Sequence, residues 1–460
     1  MSCTNRFITK AEDDGYRLAT ASNDHPPGVI VSSEKAYTSI IFRSHAHRYC
    51  AYCLSQFQET GKRCLGGCEY THYCSRECQR KDFGIHKHTC KKYHTIIGEA
   101  VRLYVGNGEN QIETFPWEDF MLARKTYIRM CMDSDVSVKH NQSVHEVNIP
   151  KDIDILCQSE SKEDELSMYT SMAKIVAASF LLDPDGAVDF FEKLLNQFRC
   201  NNFGIQNSLQ TVIAHGVYPR GAILNHSCNP NCILTYEGGE QLIRTIKKVN
   251  KGEELFHSYT DICQPTSVRR EHLKMTYGFL CKCDRCELIE KWKSIEEELT
   301  KEEGYTNQDK EKVEDLLANA QIISTEGSDD DIDNIRKEYE HLHNAIRIQE
   351  EKLGEYNLER YKTECLALST SMLLGSDMTT AISHADYAVK FLRRVCNQYH
   401  PLVLLQEMTL AELYFSQGNE TKAMEMFELL VEKCKVSFGG NHPYVYHYQS
   451  LLGQCTGQSR

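Results

Sequence analysis

The sequence predicts an α+β protein: short strands, zinc-binding modules set among them, and an all-helical C-terminal part. Three observations carry this. Twelve cysteine and histidine side chains are spaced as metal ligands, β-branched segments bounded by turn residues flank them, and helical patterning with an internal repeat fills the rest.

The ligand ladder reads Cys50-x2-Cys53-x10-Cys64-x3-Cys68-x5-Cys74-x3-Cys78-x7-His86-x3-Cys90. Zinc takes four soft or borderline ligands in a tetrahedron, and closely spaced cysteine pairs supply half of one from a single turn. A second set, Cys281-x-Cys283-x2-Cys286, lacks a fourth ligand nearby, and Cys228 is the candidate. Three complete sets leave no open coordination position, so the three Zn2+ ions are expected to be structural. A chain with 21 cysteines produces close pairs by chance, but not eight ligands in so short a stretch. The first residues, MSCTNRFITKAEDDGYRL, contain no apolar run of a signal peptide. A reducing compartment is therefore expected, with zinc thiolates rather than disulfides.

The chain has 460 residues, 41% hydrophobic and 25% charged, which is room for several domains. No stretch approaches the ~20 apolar residues that span a bilayer. A net charge of −13 excludes a protein that coats nucleic acid. The average hides a split: Arg43 to Lys92 carries ten bases against four acids, and Glu296 to Glu340 sixteen acids against five bases. The basic zinc module either meets an anionic partner, with nucleic acid a weak candidate, or offsets its own thiolates.

Strand signals occupy 28–42, after Asp24-His-Pro-Pro-Gly28, and return at 201–262. Residues 96–200 read as helical, with apolar positions at three- and four-residue spacing in 118–130 and 166–182, separated by a polar loop near 133–165. From Lys291 onward everything is helical. There Thr380-Ala381 aligns with Lys422-Ala423, and His400-Pro401 with His442-Pro443, each offset by 42. That period predicts TPR-like stacked hairpins, with an unrelated helical bundle as the alternative.

The chemistry is expected in Asn225-His226-Ser227-Cys228, Gly252-Glu-Glu-Leu-Phe-His-Ser258-Tyr259, and Tyr277-Gly-Phe279-Leu-Cys281. Together, and in this order, these motifs resemble a SET-domain protein lysine methyltransferase. With the eight-ligand block inserted as a MYND finger and a helical tail, the chain is similar to the SET-and-MYND (Smyd) family along nearly its whole length. The resemblance implies a split SET β-fold (1–44 and 201–262), a MYND zinc finger (45–95), a helical SET insert (96–200), a post-SET zinc region (263–290) and an all-α TPR-like C-terminal domain (291–460).

It also implies a cross-brace in the finger, Cys50, Cys53, Cys74 and Cys78 holding one ion and Cys64, Cys68, His86 and Cys90 the other. Spacing alone does not fix this pairing, and His88 is an alternative to His86. The implied reaction is methyl transfer from S-adenosyl-L-methionine to a lysine amine of a histone or non-histone protein. Only roughly one such amine in a thousand is neutral at pH 7, so a desolvating aromatic channel is needed. Tyr259 and Tyr277 match the channel tyrosines, and Phe203 a channel aromatic. Asn201, Asn225, His226, Tyr259 and Phe279 match cofactor contacts. So do Tyr16 and Arg17, although the family's glycine-rich turn here keeps only Gly15. Taken singly, each aromatic would be ordinary core.

The alternative is a catalytically weak or inactive adaptor in transcriptional regulation. In it the finger takes a proline-rich peptide and the helical tail a chaperone or other regulatory partner. A soluble monomer, nuclear and cytoplasmic, is expected in either case. Because Cys228 follows Asn225-His226 closely and Cys281 follows Phe279, the third zinc is expected to tie both edges of the cofactor site together.

Overall fold

The computed structural model describes residues 6–11, 17–90 apart from 65 and 69, residues 95 and 102, and 115–456 apart from 137, 139–143, 145–146, 155, 157–162, 181, 183, 290, 327–330 and 376–377. Strands β1 (Phe7–Ala11) and β2 (Arg17–Ala21) pair antiparallel, followed by β3 (Ile30–Lys35) and β4 (Thr38–Ile41). The zinc module contributes the small hairpin β5 (Lys62–Arg63) and β6 (His72–Tyr73) and helix α1 (Arg76–His86). Ser75 caps that helix by accepting the N–H of Cys78, which sets two ligands at its start and end.

Helices α2 (Trp117–Asp133), α3 (Lys151–Asp154), α4 (Glu163–Ser179) and α5 (Pro184–Asn201) form a layer of their own. In α5, Phe191, Leu194, Leu195 and Phe198 recur at helical spacing and bury against Phe120, Tyr127 and Val176. The chain then runs through β7 (Asn202–Gln206), β8 (Val212–Val217), β9 (Asn225–His226), β10 (Cys232–Glu237), β11 (Glu240–Thr245) and β12 (Phe256–His257). One sheet has the order β4-β8-β7 and another β10-β11-β3, so strands on either side of the zinc module and helical layer share sheets. The β10–β11 turn is Gly238-Gly239, both at positive φ (54° and 76°), the backbone of a two-residue hairpin. The short pair β9–β12 is parallel and sets His226 opposite His257.

Helix α6 (Thr266–Tyr277), not foreseen in the 263–290 region, ends at Gly278 in the left-handed conformation. Beyond α7 (Lys291–Leu299) come α8 (Asn307–Glu326), α9 (Ile332–Lys352), α10 (Leu358–Leu374), α11 (Met378–Val395), α12 (Pro401–Ser416), α13 (Glu420–Ser437) and α14 (Pro443–Cys455). The offset of 42 carries α11–α12 onto α13–α14. His400 and His442 are equivalent N-caps, each side chain accepting the N–H two residues on, with proline at the first helical position. The helices pack in sequence as hairpins α8/α9, α10/α11 and α12/α13 closed by α14, three helices more than the aligned repeat spans.

Candidate active site

The zinc ligands come together as three clusters. Sulfurs of Cys50, Cys53, Cys74 and Cys78 lie within 4.8 Å of one another, as do those of Cys228, Cys281, Cys283 and Cys286. The third cluster holds Cys64, His86 and Cys90, with His86 Nε2 3.1 Å from Cys64 Sγ; His86, rather than His88, fills the imidazole position. Cys68 stands at the edge of this cluster, its Sγ donating to Thr71 Oγ1 at 3.0 Å. Gly66 makes the loop fit, since a Cβ there would meet Cys90 Sγ at 2.5 Å. The thiols polarise one another: hydrogen bonding from Cys50 pulls Cys53 down to about 4. Four sulfurs this close suit zinc, which displaces their protons on binding.

The site at Cys228 is the buried one. Arg269, fully buried, reaches Cys286 Sγ at 3.8 Å and pairs with Glu296 at 2.9 Å, while Arg285 pairs with the same carboxylate at 2.7 Å. Tyr259, Tyr277 and Phe279 pack on the cluster. His226 joins cluster to cavity: Nδ1 accepts the Tyr259 N–H at 2.9 Å and Nε2 lies 3.2 Å from Cys228 Sγ. Burial pushes this imidazole down to about 4, so it is neutral, with the Nε2 proton directed at the sulfur.

Around that strut the expected residues converge. The Tyr259 and Tyr277 rings are 4.8 Å apart, and the Tyr259 hydroxyl donates to Leu224 O at 2.6 Å. Burial raises the Tyr277 hydroxyl to about 12, so it stays protonated. Phe203, Tyr259, Tyr277 and His257 line one cavity of about 370 Å³, and His400, Pro401 and Leu402 at the start of α12 line it too. Phe279 stands behind it, 6.0 Å from the His226 ring. Asn225 Nδ2 donates to Arg17 O at 2.8 Å and to Glu254 Oε1 at 2.7 Å, so Arg17 enters through its backbone. Asn201 is buried and folds back to donate to Gln197 O at 2.7 Å, rather than lining the cavity. Tyr16 lies outside the described residues.

His257 and Asn202 are among the cavity residues that went unnoticed in the sequence. His257 sits two positions before Tyr259 on an extended segment, and residues i and i+2 share a face; that alternation was the available signal.

A family model for the SET domain matches residues 20–260, more than half of the chain. The chain belongs to the SET-domain family, in its SET-and-MYND (Smyd) branch. It is 25% identical to human histone-lysine N-methyltransferase SMYD3 over 99% of this chain and 98% of that protein. It is 25% identical to the N-lysine methyltransferase SMYD2 of Gallus gallus, over 97% of this chain and 96% of that one. The Arabidopsis thaliana histone-lysine N-methyltransferase ASHR1 is 22% identical over 98% and 95%. These matches run over nearly the whole length of this chain and of each relative. Among the described residues, no helix is long and apolar enough to cross a membrane.

Proposed function

We propose that this protein is an S-adenosylmethionine-dependent protein-lysine N-methyltransferase. The observation that carries this is the aromatic cavity: Phe203, Tyr259 and Tyr277 share its wall, and Tyr259 is fixed at its hydroxyl by Leu224 O and at its amide by His226. The names of SMYD3, SMYD2 and ASHR1 supply the substrate class, a protein lysine.

Asn225, Phe279, the Arg17 carbonyl and the backbone of His226 would hold the cofactor, which supplies an electrophilic methyl group. Asn201 and Tyr16 are supporting candidates. The protein's own part is positioning. Burial among the Phe203, Tyr259 and Tyr277 rings disfavours the charged ammonium and leaves the neutral amine, whose lone pair is then aimed along one axis by the tyrosine pair. With the methyl donor bound, the amine lone pair would form the N–CH3 bond as the donor's S–CH3 bond broke, and the amine proton would leave to water. Residues 400–402 line the same cavity, so the helical domain borders the substrate site.

The adaptor reading has one observation in its favour. Asn225 Nδ2 and both ring nitrogens of His226 are already committed to protein partners. In that reading the finger takes a proline-rich peptide and the helical domain a chaperone or regulatory partner, in nucleus and cytoplasm. Calorimetry with S-adenosylmethionine, and transfer of labelled methyl to core histones by wild type and Tyr259→Phe, separate the two. Binding with transfer lost in the variant supports the enzyme; neither binding nor transfer supports the adaptor.

A further inference from the structure

Two residues on the cavity carry buried hydrogen-bond acceptors without a partner among the described residues. His257 is 6% exposed and lines it, with its ring 4.8 Å from that of Tyr259 and 6.0 Å from that of Phe203. Its Nδ1 is 3.1 Å from Ser258 O, a carbonyl that can only accept, so Nδ1 carries the proton. That leaves Nε2 as a bare lone pair, buried and without a partner among the described residues. Asn202 Oδ1, on the same cavity, is a second buried acceptor without a partner. An unpaired buried acceptor is costly, and two on one cavity point to a ligand bearing N–H groups.

We propose that His257 Nε2 accepts an N–H of the substrate lysine amine, and that this positioning residue limits how many methyl groups are added. The proposal rests on the methyltransferase reading. A primary amine with its lone pair in line has two N–H bonds, and a secondary amine has one, so either satisfies Nε2. A dimethylamine has none. To aim its lone pair it must press a methyl against Nε2 and leave the acceptor unpaired, so a third transfer is disfavoured. Burial holds the ring neutral, with its pKa pushed down to about 3, so the acceptor persists at any working pH. His257 takes no proton in the step; the amine proton leaves to water.

Two measurements on the full chain test this. In the first, core histones are methylated and the products resolved by mass spectrometry. Wild type is expected to stop at mono- and dimethyllysine. His257→Ile should raise the trimethyl share by about fivefold to tenfold, the scale of one lost hydrogen bond with its desolvation. His257→Gln, which keeps an acceptor, should hold it near the wild-type level. A product ratio unchanged by His257→Ile at retained turnover overturns the proposal, as does a wild-type enzyme that trimethylates.

The second needs no turnover. With S-adenosylhomocysteine present, the ¹⁵N shift of His257 Nε2 is followed on adding n-butylammonium or trimethyl-n-butylammonium. Only the first is expected to move it upfield; equal shifts, or none with saturating n-butylammonium, overturn the proposal. Failure of the underlying reading looks different: no form binds S-adenosylmethionine or transfers methyl, and the proposal falls with it.

Discussion

The finger and the post-SET cluster use the same metal chemistry in opposite settings. In the finger, Cys50 and Cys68 are buried, but Cys74 is exposed and Cys53, Cys64, Cys78 and Cys90 are partly so; the ions hold together a small module with little core of its own. At the post-SET cluster Cys228, Cys281 and Cys286 are buried, a charged Arg269 stands against the sulfurs, and the cavity tyrosines pack on top. One set of thiolates builds an appendage, the other a wall of the active site. His226 makes the difference physical, because it touches a zinc sulfur with one nitrogen and the Tyr259 amide with the other.

The largest expected effect follows directly. Removing the post-SET metal with Cys283→Ser should lower S-adenosylmethionine affinity by about two orders of magnitude or more, since a structural zinc contributes on the order of 10 kcal/mol. Cys74→Ser should leave that affinity within about threefold while loosening the finger, as distant sites act independently. Circular dichroism and zinc content on both variants check that only the local module has changed.

Next is Tyr259→Phe. It deletes the hydroxyl that donates to Leu224 O at 2.6 Å. With the ring still packed, kcat should fall about tenfold to a hundredfold while the melting temperature holds nearly constant. A loss of stability matching the loss of rate would move Tyr259 from chemistry to scaffold.

The pH dependence of stability sharpens the contrast between a dry site and an exposed finger. Unfolded, the His257 ring takes up a proton below about 6.5; folded, burial delays this to about 3. The stabilisation from a neutral ring is therefore fully present above pH 6.5 and is lost progressively as pH falls toward 3. Between pH 7 and pH 5 this amounts to about 2 kcal/mol. In urea titrations at both pH values, the unfolding free energy lost between pH 7 and pH 5 should be about 2 kcal/mol smaller for His257→Asn than for wild type.

The smallest effect is in the helical domain. His442→Ala removes the side-chain cap of α14, at a cost of about 1 kcal/mol, without altering cofactor affinity.

Much of this was legible in the chain because zinc ligands and turn residues act locally. The two four-cysteine clusters have the membership expected of them, and His400 and His442 cap helices at the predicted offset of 42. What escaped was set by burial and long-range pairing. The α8/α9 and α10/α11 hairpins lack the His-Pro signature, so the repeat looked shorter than it is. Asn201 ends a buried helix and donates to Gln197 O, a contact that its place in the sequence does not announce. The commitment of His226 to a zinc thiolate, and the lone pair left on His257, depend on a parallel pairing of two-residue strands that no periodicity announces.

The most direct test of the central claim is a calorimetric titration of S-adenosylmethionine into three proteins: wild type, Cys74→Ser and Cys283→Ser. Micromolar binding by wild type and Cys74→Ser, with none detectable for a folded Cys283→Ser, is the expected result. Equal affinity in all three would contradict a cofactor site built on the post-SET zinc.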